Sequence, residues 1–381
     1  MVYFLGLITR CKDEYFIKEF CEYYIWQGVD KIYIIDDDSN DKSIYDGIND
    51  NRIEIVYEKD IIKREFANEY YKEVRNNFEW MIYCDVDEFI TTKRNFNKTI
   101  REELTTTFKD VDCIMIPWVM MSCNGIEKNP KSVLEENIYR WNHDERHPSK
   151  VYKFRCRYEN IEVKCIFKSG KFKSIVGDHH PKGFVRNSLN VVDSIKCNKN
   201  NIGQFYSNLR EEDIKVGYLL CYHYRIISVE NSLNKIKTNI WYVNNRYKIK
   251  DLMDSDHPEV KDETIKYKIN SIRNKVVLIH VGKCGGSYLN TIFPGINEVH
   301  MRQAIFKKSN SFILILRNPI DRFVSAYYHS RWLIEYDVKD YKYKDLFNNI
   351  DSPYYKLKWK IKGILELNNP FGYYKNGDKY K

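Results

Sequence analysis

Met81-Ile82-Tyr83-Cys84-Asp85-Val86-Asp87-Glu88-Phe89-Ile90 runs an apolar strand straight into two carboxylates one residue apart. In a parallel α/β sheet the ligand sits at the carboxyl ends of the strands, so this junction marks a candidate site. Side chains alternate along a strand, and Asp85 and Asp87 share a side if the extended backbone persists that far. Together they could hold one hard divalent cation, and that cation a diphosphate.

The surrounding sequence supports a strand there. Val2 to Ile8 is a short apolar run of the kind a buried parallel strand shows, and Asp13 to Gln27 reads as a helix closed by Gly28, with Phe16, Phe20, Tyr23 and Tyr24 on its buried face. Lys31 to Ile35 is a second strand, ending in Asp36-Asp37-Asp38-Ser39-Asn40-Asp41, and Ile53 to Tyr57 is a third. Ile61 to Arg75 has a helical pattern, Trp80 to Cys84 and Val111 to Pro117 strand patterns. Strand and helix alternate, so the first half predicts a βαβ-built, mostly parallel α/β sheet. Residues 120 to 240 are less regular, 246 to 274 read as a charged, helical or extended connector, and Val276 to His280 opens a second α/β unit. The domains expected are thus 1–245 and 275–381, joined by 246–274.

Two acidic strand ends, Asp36 to Asp38 and Asp85-Val86-Asp87, suit a nucleoside diphosphate. One can accept hydrogen bonds from base or ribose, and the other can bind the diphosphate through a metal. At this point the chain resembles a known group. Arg10 to Phe20, Gly28 to Asp41 and Tyr83 to Phe89 look like the GT-A type glycosyltransferases of family 2, particularly the family 92-like group. Trp118 to Gly125 resembles that group's tryptophan-to-glycine loop, and Lys164 to Lys168, leading to His179-His180-Pro181, resembles its lysine-to-histidine motif. His223-Tyr224-Arg225, with Ser228 and Lys235, resembles its closing motif.

The resemblance covers roughly residues 1 to 240. It implies a GT-A nucleotide-diphospho-sugar transferase fold, a nucleotide-diphosphate sugar as donor, Mn²⁺ or Mg²⁺, and a glycan, protein or lipid acceptor. Asp13 and one or two of Asp36 and Asp37 would contact base and ribose. Asp85 and Asp87 would bind metal and diphosphate, with Glu88 supporting their loop. His179 or His180, or less favourably His223, would supply a late metal ligand or line the acceptor pocket. Asp178, beside the histidine pair, is the candidate base for an inverting reaction.

A second constellation lies downstream. His280-Val281-Gly282-Lys283-Cys284-Gly285-Gly286-Ser287-Tyr288-Leu289 follows a strand and precedes a helical pattern, the setting in which backbone amides bind phosphate. Lys283 precedes the glycine pair, so the order is not Walker A; it resembles the 5′-phosphosulfate loop of sulfotransferases. Leu316 to Tyr327, again after an apolar strand, resembles the second half of that signature. The resemblance gives Lys283, Gly285, Gly286 and Ser287 the 5′ side of 3′-phosphoadenosine 5′-phosphosulfate, and Arg317 and Ser325 its 3′-phosphate, with His300 a base by position alone. Only 56 residues follow Ser325 in the 381-residue chain, so an incomplete P-loop-like α/β module with weak or lost activity is expected.

Composition bounds the alternatives. Lys and Arg number 62 against 53 Asp and Glu, a net charge of +9, and the charges are mixed rather than blocked, which favours an anionic small ligand over a nucleic-acid groove. Ten scattered Cys without a C-x-x-C pair, and no signal-peptide layout or span of ~20 apolar residues, lead one to expect a reduced, cytoplasmic protein, at most peripheral to a membrane. Three other readings compete: an active bifunctional glycosyltransferase and sulfotransferase; a phosphatase of the haloacid dehalogenase class, which also has D-x-D after a strand; and a degenerate, non-catalytic glycan-binding protein.

Overall fold

The structure is a computed structural model that describes residues 3–57, 63–145, 161–175, 179–184, 188–273, 276–280, 297–300 and 311–315. The chain divides into two compact units, Met1–Ile269 and Asn270–Lys381.

The first unit is an α/β fold around a mixed central sheet. β1 (Tyr3–Cys11), β2 (Lys31–Asp36), β3 (Ile53–Tyr57) and β4 (Phe78–Tyr83) are all parallel in the order β3-β2-β1-β4. Their apolar runs are buried because helices cover the faces. α1 (Ile17–Trp26) buries Ile17, Phe20, Cys21, Tyr23 and Tyr24, the face its pattern predicted, and complete burial of Phe20 alone contributes roughly 1.5–3 kcal/mol. α2 (Lys63–Val74) buries Ala67, Tyr71 and Val74, one stripe at helical spacing.

The sheet turns mixed beyond β4. β5 (Glu88–Thr92) leaves the parallel set, α3 (Ile100–Thr105) carries a Thr99 capping box, and β6 (Cys113–Ser122) is buried along its whole length. After α4 (Val133–Glu136) and β7 (Tyr139–Arg140), β8 (Ile161–Lys168) inserts antiparallel between β4 and β6. β9 (Phe172–Ser174) and β10 (Lys182–Phe184) form a small antiparallel pair; β11 (Val191–Asp193) pairs parallel with the start of β6, and β12 (Phe205–Tyr206) pairs with β8. Following α5 (Glu211–Val216), β13 (Leu219–His223) runs parallel to β6 and antiparallel to β5, setting His223 opposite Glu88 and Cys221 opposite Trp118.

α6 (Val229–Thr238), α7 (Ile240–Asn244), α8 (Ile249–Met253), β14 (Val260–Lys261) and α9 (Thr264–Arg273) complete the described part of this unit. The segment expected as a connector is therefore structured up to 269. β14 pairs with β7, Arg140 meets Asp262 at 2.9 Å, and Leu252, Ile265 and Ile269 are buried. The charges that suggested a linker are largely on the solvent side of short amphipathic elements.

In the second unit β15 (Val276–His280), β16 (Asn297–His300) and β17 (Ser311–Ile315) are parallel in the order β16-β15-β17. Both expected strands form. Lys283, Gly285, Gly286, Ser287, Arg317 and Ser325 lie outside the described residues, and so does Asp178.

Candidate functional site

Because β1, β2 and β4 are parallel and in register, with Cys11 opposite Asp36 and Ile8 opposite Tyr83, their carboxyl ends share one edge of the sheet. That edge gathers Arg10 to Glu14, Asp36 to Asn40 and Cys84 to Glu88. A shallow cavity of about 520 Å³ lies elsewhere, lined by Asp112, Lys171, Asn190 and Lys199 at the amino end of β6. The charged side chains gather instead at the carboxyl edge, the place where open α/β sheets bind ligands.

The extended backbone does not continue through the acidic pair. After Tyr83 the chain turns: the Glu88 amide donates to the Asp85 carbonyl (3.1 Å), and the Asp85 amide donates to Glu88 Oε2 (2.7 Å). The turn is anchored from outside. Tyr24 Oη donates to the Glu88 carbonyl (2.8 Å), Tyr23 Oη to that of Ile90 (2.9 Å), and the Tyr224 amide to that of Asp87 (2.7 Å). Val86 is buried between the two acids, which reach different cations.

Asp85, whose side chain is 38% exposed, lies 3.1 Å from Lys164 Nζ and 3.8 Å from Arg10. Burial opposes its ionisation, but Lys164 and Arg10 outweigh burial and hold the carboxyl below its usual range. Asp87 is deeper, with Lys235 Nζ at 2.8 Å and His223 Nε2 at 3.6 Å. Burial again opposes ionisation, and Lys235 with His223 holds Asp87 far below the carboxylate range. Both acids are therefore anionic at neutral pH.

Their neighbours are polarised the other way. Glu88 is fully buried 3.1 Å from Lys164, yet burial pushes its carboxyl well up, beyond what Lys164 offsets. Glu14 lies 3.5 Å from Lys235 and is raised for the same reason. Burial lowers His223 despite Asp87, so its imidazole is neutral at pH 7. Around this core Trp118 packs against His223 (ring centroids 4.1 Å) and against His179 (5.4 Å). His179 Nδ1 is 3.3 Å from the Val163 carbonyl, next to Lys164 in β8, and burial lowers the His180 imidazole.

The second acidic strand end holds its own loop together. Asp36 accepts from Tyr45 Oη (2.6 Å) and pairs with Lys42. Asp13, at φ 55°, accepts from the Asn40 amide (2.6 Å), Asn40 Nδ2 (2.6 Å) and the Asp41 amide (3.2 Å). Lys12 Nζ donates to the Asp37 and Asp38 carbonyls (3.2 and 3.1 Å). Asp13 and Asp36 thus shape a loop whose partly exposed face is Asp37, Asp38 and Asn40.

Of the residues expected from sequence, Asp85, Asp87, Glu88, His223 and Lys235 come together, and His179 joins them through Trp118. Glu14, and the pairing of Lys164 and Lys235 with the two acids, were not read from the sequence. A signal existed for Lys235, which shares a helical face with buried Asn231 and follows the cap Ser228.

A metal at this site can be tested against the donors. Among the described residues no group of three or more His, Cys, Asp or Glu is arranged to hold an ion. Two ionised carboxylates nevertheless suit a hard cation such as Mg²⁺ or Mn²⁺, which binds through one or two carboxylates and takes its other ligands from phosphate and water. His223 Nδ1 and Glu14 Oε2 are buried beside the pair with no hydrogen-bond partner among the described residues, so unused polar capacity remains there.

No protein-family model matches the chain, and no curated protein matches it. Among solved structures, the 4-diphosphocytidyl-2C-methyl-D-erythritol synthase of Anaerococcus prevotii aligns over 56% of this chain and 95% of its own, at 13% identity and a TM-score of 0.26. At that score the likeness decides neither fold nor function.

Proposed function

We propose that the first unit is a GT-A type, metal-dependent glycosyltransferase that moves a sugar from a nucleotide-diphosphate donor to a glycan, protein or lipid acceptor. The observation that carries this reading is the pair of ionised carboxylates, Asp85 and Asp87, in a braced turn at the carboxyl edge of the parallel strands. Asp85 and Asp87 would hold Mn²⁺ or Mg²⁺, which neutralises the diphosphate leaving group when bound. Lys164 and Arg10 keep Asp85 anionic, and Lys235 does the same for Asp87. The loop shaped by Asp13 and Asp36 offers Asp37, Asp38 and Asn40 to the base and ribose. His179 and Trp118 line the acceptor side, and Asp178, outside the described residues, keeps its proposed role as base.

The phosphatase reading leaves the second acidic strand end, Asp36 to Asp38 on the same edge of the sheet, without a role. In the second unit the proposal keeps a sulfotransferase-like module with weak or no binding of 3′-phosphoadenosine 5′-phosphosulfate. A screen of nucleotide sugars with Mn²⁺ tests the first unit, since a donor bound at 100 times its Kd stabilises the fold by about 2.7 kcal/mol. A donor- and metal-dependent rise in melting temperature that Asp85→Asn abolishes is expected. No rise with any donor would overturn the reading.

A further inference from the structure

Residues 231–250 contain Lys235, Lys237, Arg246, Lys248 and Lys250 and not one Asp or Glu. Of these only Lys235 is buried, on Asp87; the other four are exposed. The same stretch carries four of the exposed large apolar side chains among the described residues: Leu233 (38%), Ile240 (59%), Trp241 (44%) and Val243 (47%). Leu233 and Lys237, four apart, share one side of α6, and Ile240, Trp241 and Val243 follow on α7 after the extended Asn239.

These side chains project from a braced element. Tyr242, Tyr247 and Leu252 form a small core beneath α6, α7 and α8, and the Arg225 guanidinium lies over the Trp241 and Tyr242 rings at 5.4 and 5.8 Å. The acids at either end are engaged locally: Glu230 pairs with Lys128 (3.7 Å), and Asp251 accepts the Lys248 amide (2.8 Å). Asp254, which caps α8, is an exposed acid just beyond this stretch.

Exposed Trp and aliphatic groups interspersed in sequence with exposed Lys and Arg match the interface of an anionic bilayer, where indole sits at headgroup depth and ammonium groups meet lipid phosphate. We propose that the α6–α7 face, Leu233 to Lys250, docks the protein on the surface of a membrane rich in anionic phospholipid. The opposite face of α6 reaches the acidic turn through Lys235, so docking would hold that turn against the membrane surface, close to an acceptor carried there. The docking itself does not depend on the glycosyltransferase reading.

Flotation of the full chain with phosphatidylglycerol-containing vesicles, and with pure phosphatidylcholine vesicles, tests this without any activity readout. Binding to the anionic vesicles only, weakened by salt, is expected. Each basic residue near the surface strengthens such binding about fivefold, so Lys237→Gln/Lys248→Gln/Lys250→Gln should weaken it roughly a hundredfold. Ile240→Ser/Val243→Ser should weaken it at unchanged circular dichroism. Equal binding to neutral vesicles, or undiminished binding by both variants, would overturn the proposal. So would salt-sensitive retention on heparin without vesicle flotation, which would assign an acidic macromolecule to this face instead.

Discussion

Replacing Lys235 by Met isolates the interaction that holds the acidic turn in its charged form. Lys235 Nζ lies 2.8 Å from Asp87 Oδ2 and 3.5 Å from Glu14 Oε1, with side-chain exposures of 7%, 15% and 16% for the three residues. At an effective dielectric constant near 20, two unit charges 4 Å apart attract by about 4 kcal/mol. Removing one partner of such a buried pair leaves the other uncompensated and costs about 3–5 kcal/mol. For a unit of this size that lowers the melting temperature by roughly 6–20 °C. The assay is thermal unfolding of the full chain and of the Lys235→Met, Asp87→Asn and double variants. The double variant contains no stranded Asp87 charge, so it should lose less than the sum of the singles by 1 kcal/mol or more, about the coupling expected of contacting charges. Additive losses, or a Lys235→Met cost below about 0.5 kcal/mol, would refute the argument that Lys235 neutralises Asp87.

Three further outcomes follow from the same geometry. Glu88 has a folded-state pKa raised above its unfolded value, so its contribution to stability is full below about pH 4.3 and is lost as pH rises through the folded pKa. Chemical denaturation across pH 4–9 should show Glu88→Gln becoming progressively more stable relative to wild type as pH increases. For Asp85 and Asp87 the shift is downward, so the stability they contribute is present above about pH 3.9 and is lost as pH falls below it; Asp87→Asn should flatten the acid limb of the same curve. Gly28 closes α1 at φ +93°, and a Cβ there would sit 2.6 Å from Arg101 Cβ, so Gly28→Ala should cost more than about 1 kcal/mol in a urea melt.

The parallel half of the sheet was legible because its signals are local. The apolar runs at β1 to β4, the buried face of α1 and the glycine after it each lie within one element, and the strand-end position of Asp85 follows from them. The strand before Asp85 ends where the sequence puts it, but the condition for Asp85 and Asp87 to share a strand face is not met, because the chain folds back at Val86, held by Tyr23, Tyr24 and Tyr224. What pairs with each acid depends on β8 and α6, which lie 79 and 148 residues downstream. No periodicity within a window reports such a distance. The segment after 245 is hard to assign from sequence for a different reason, since the Ile265 and Ile269 face of α9 is short and is interleaved with Lys266 and Lys268.

The measurement that bears most directly on the central claim is release of nucleoside diphosphate from nucleotide sugars, with and without Mn²⁺, by wild type, Asp85→Asn and Asp87→Asn. Asparagine keeps the shape of each side chain and removes the charge a cation requires. The account predicts metal-dependent release by wild type from at least one donor, and a fall of at least a hundredfold in each variant that remains folded. Equal release by wild type and both variants, or none from any donor in the presence of metal and acceptor glycans, would contradict it.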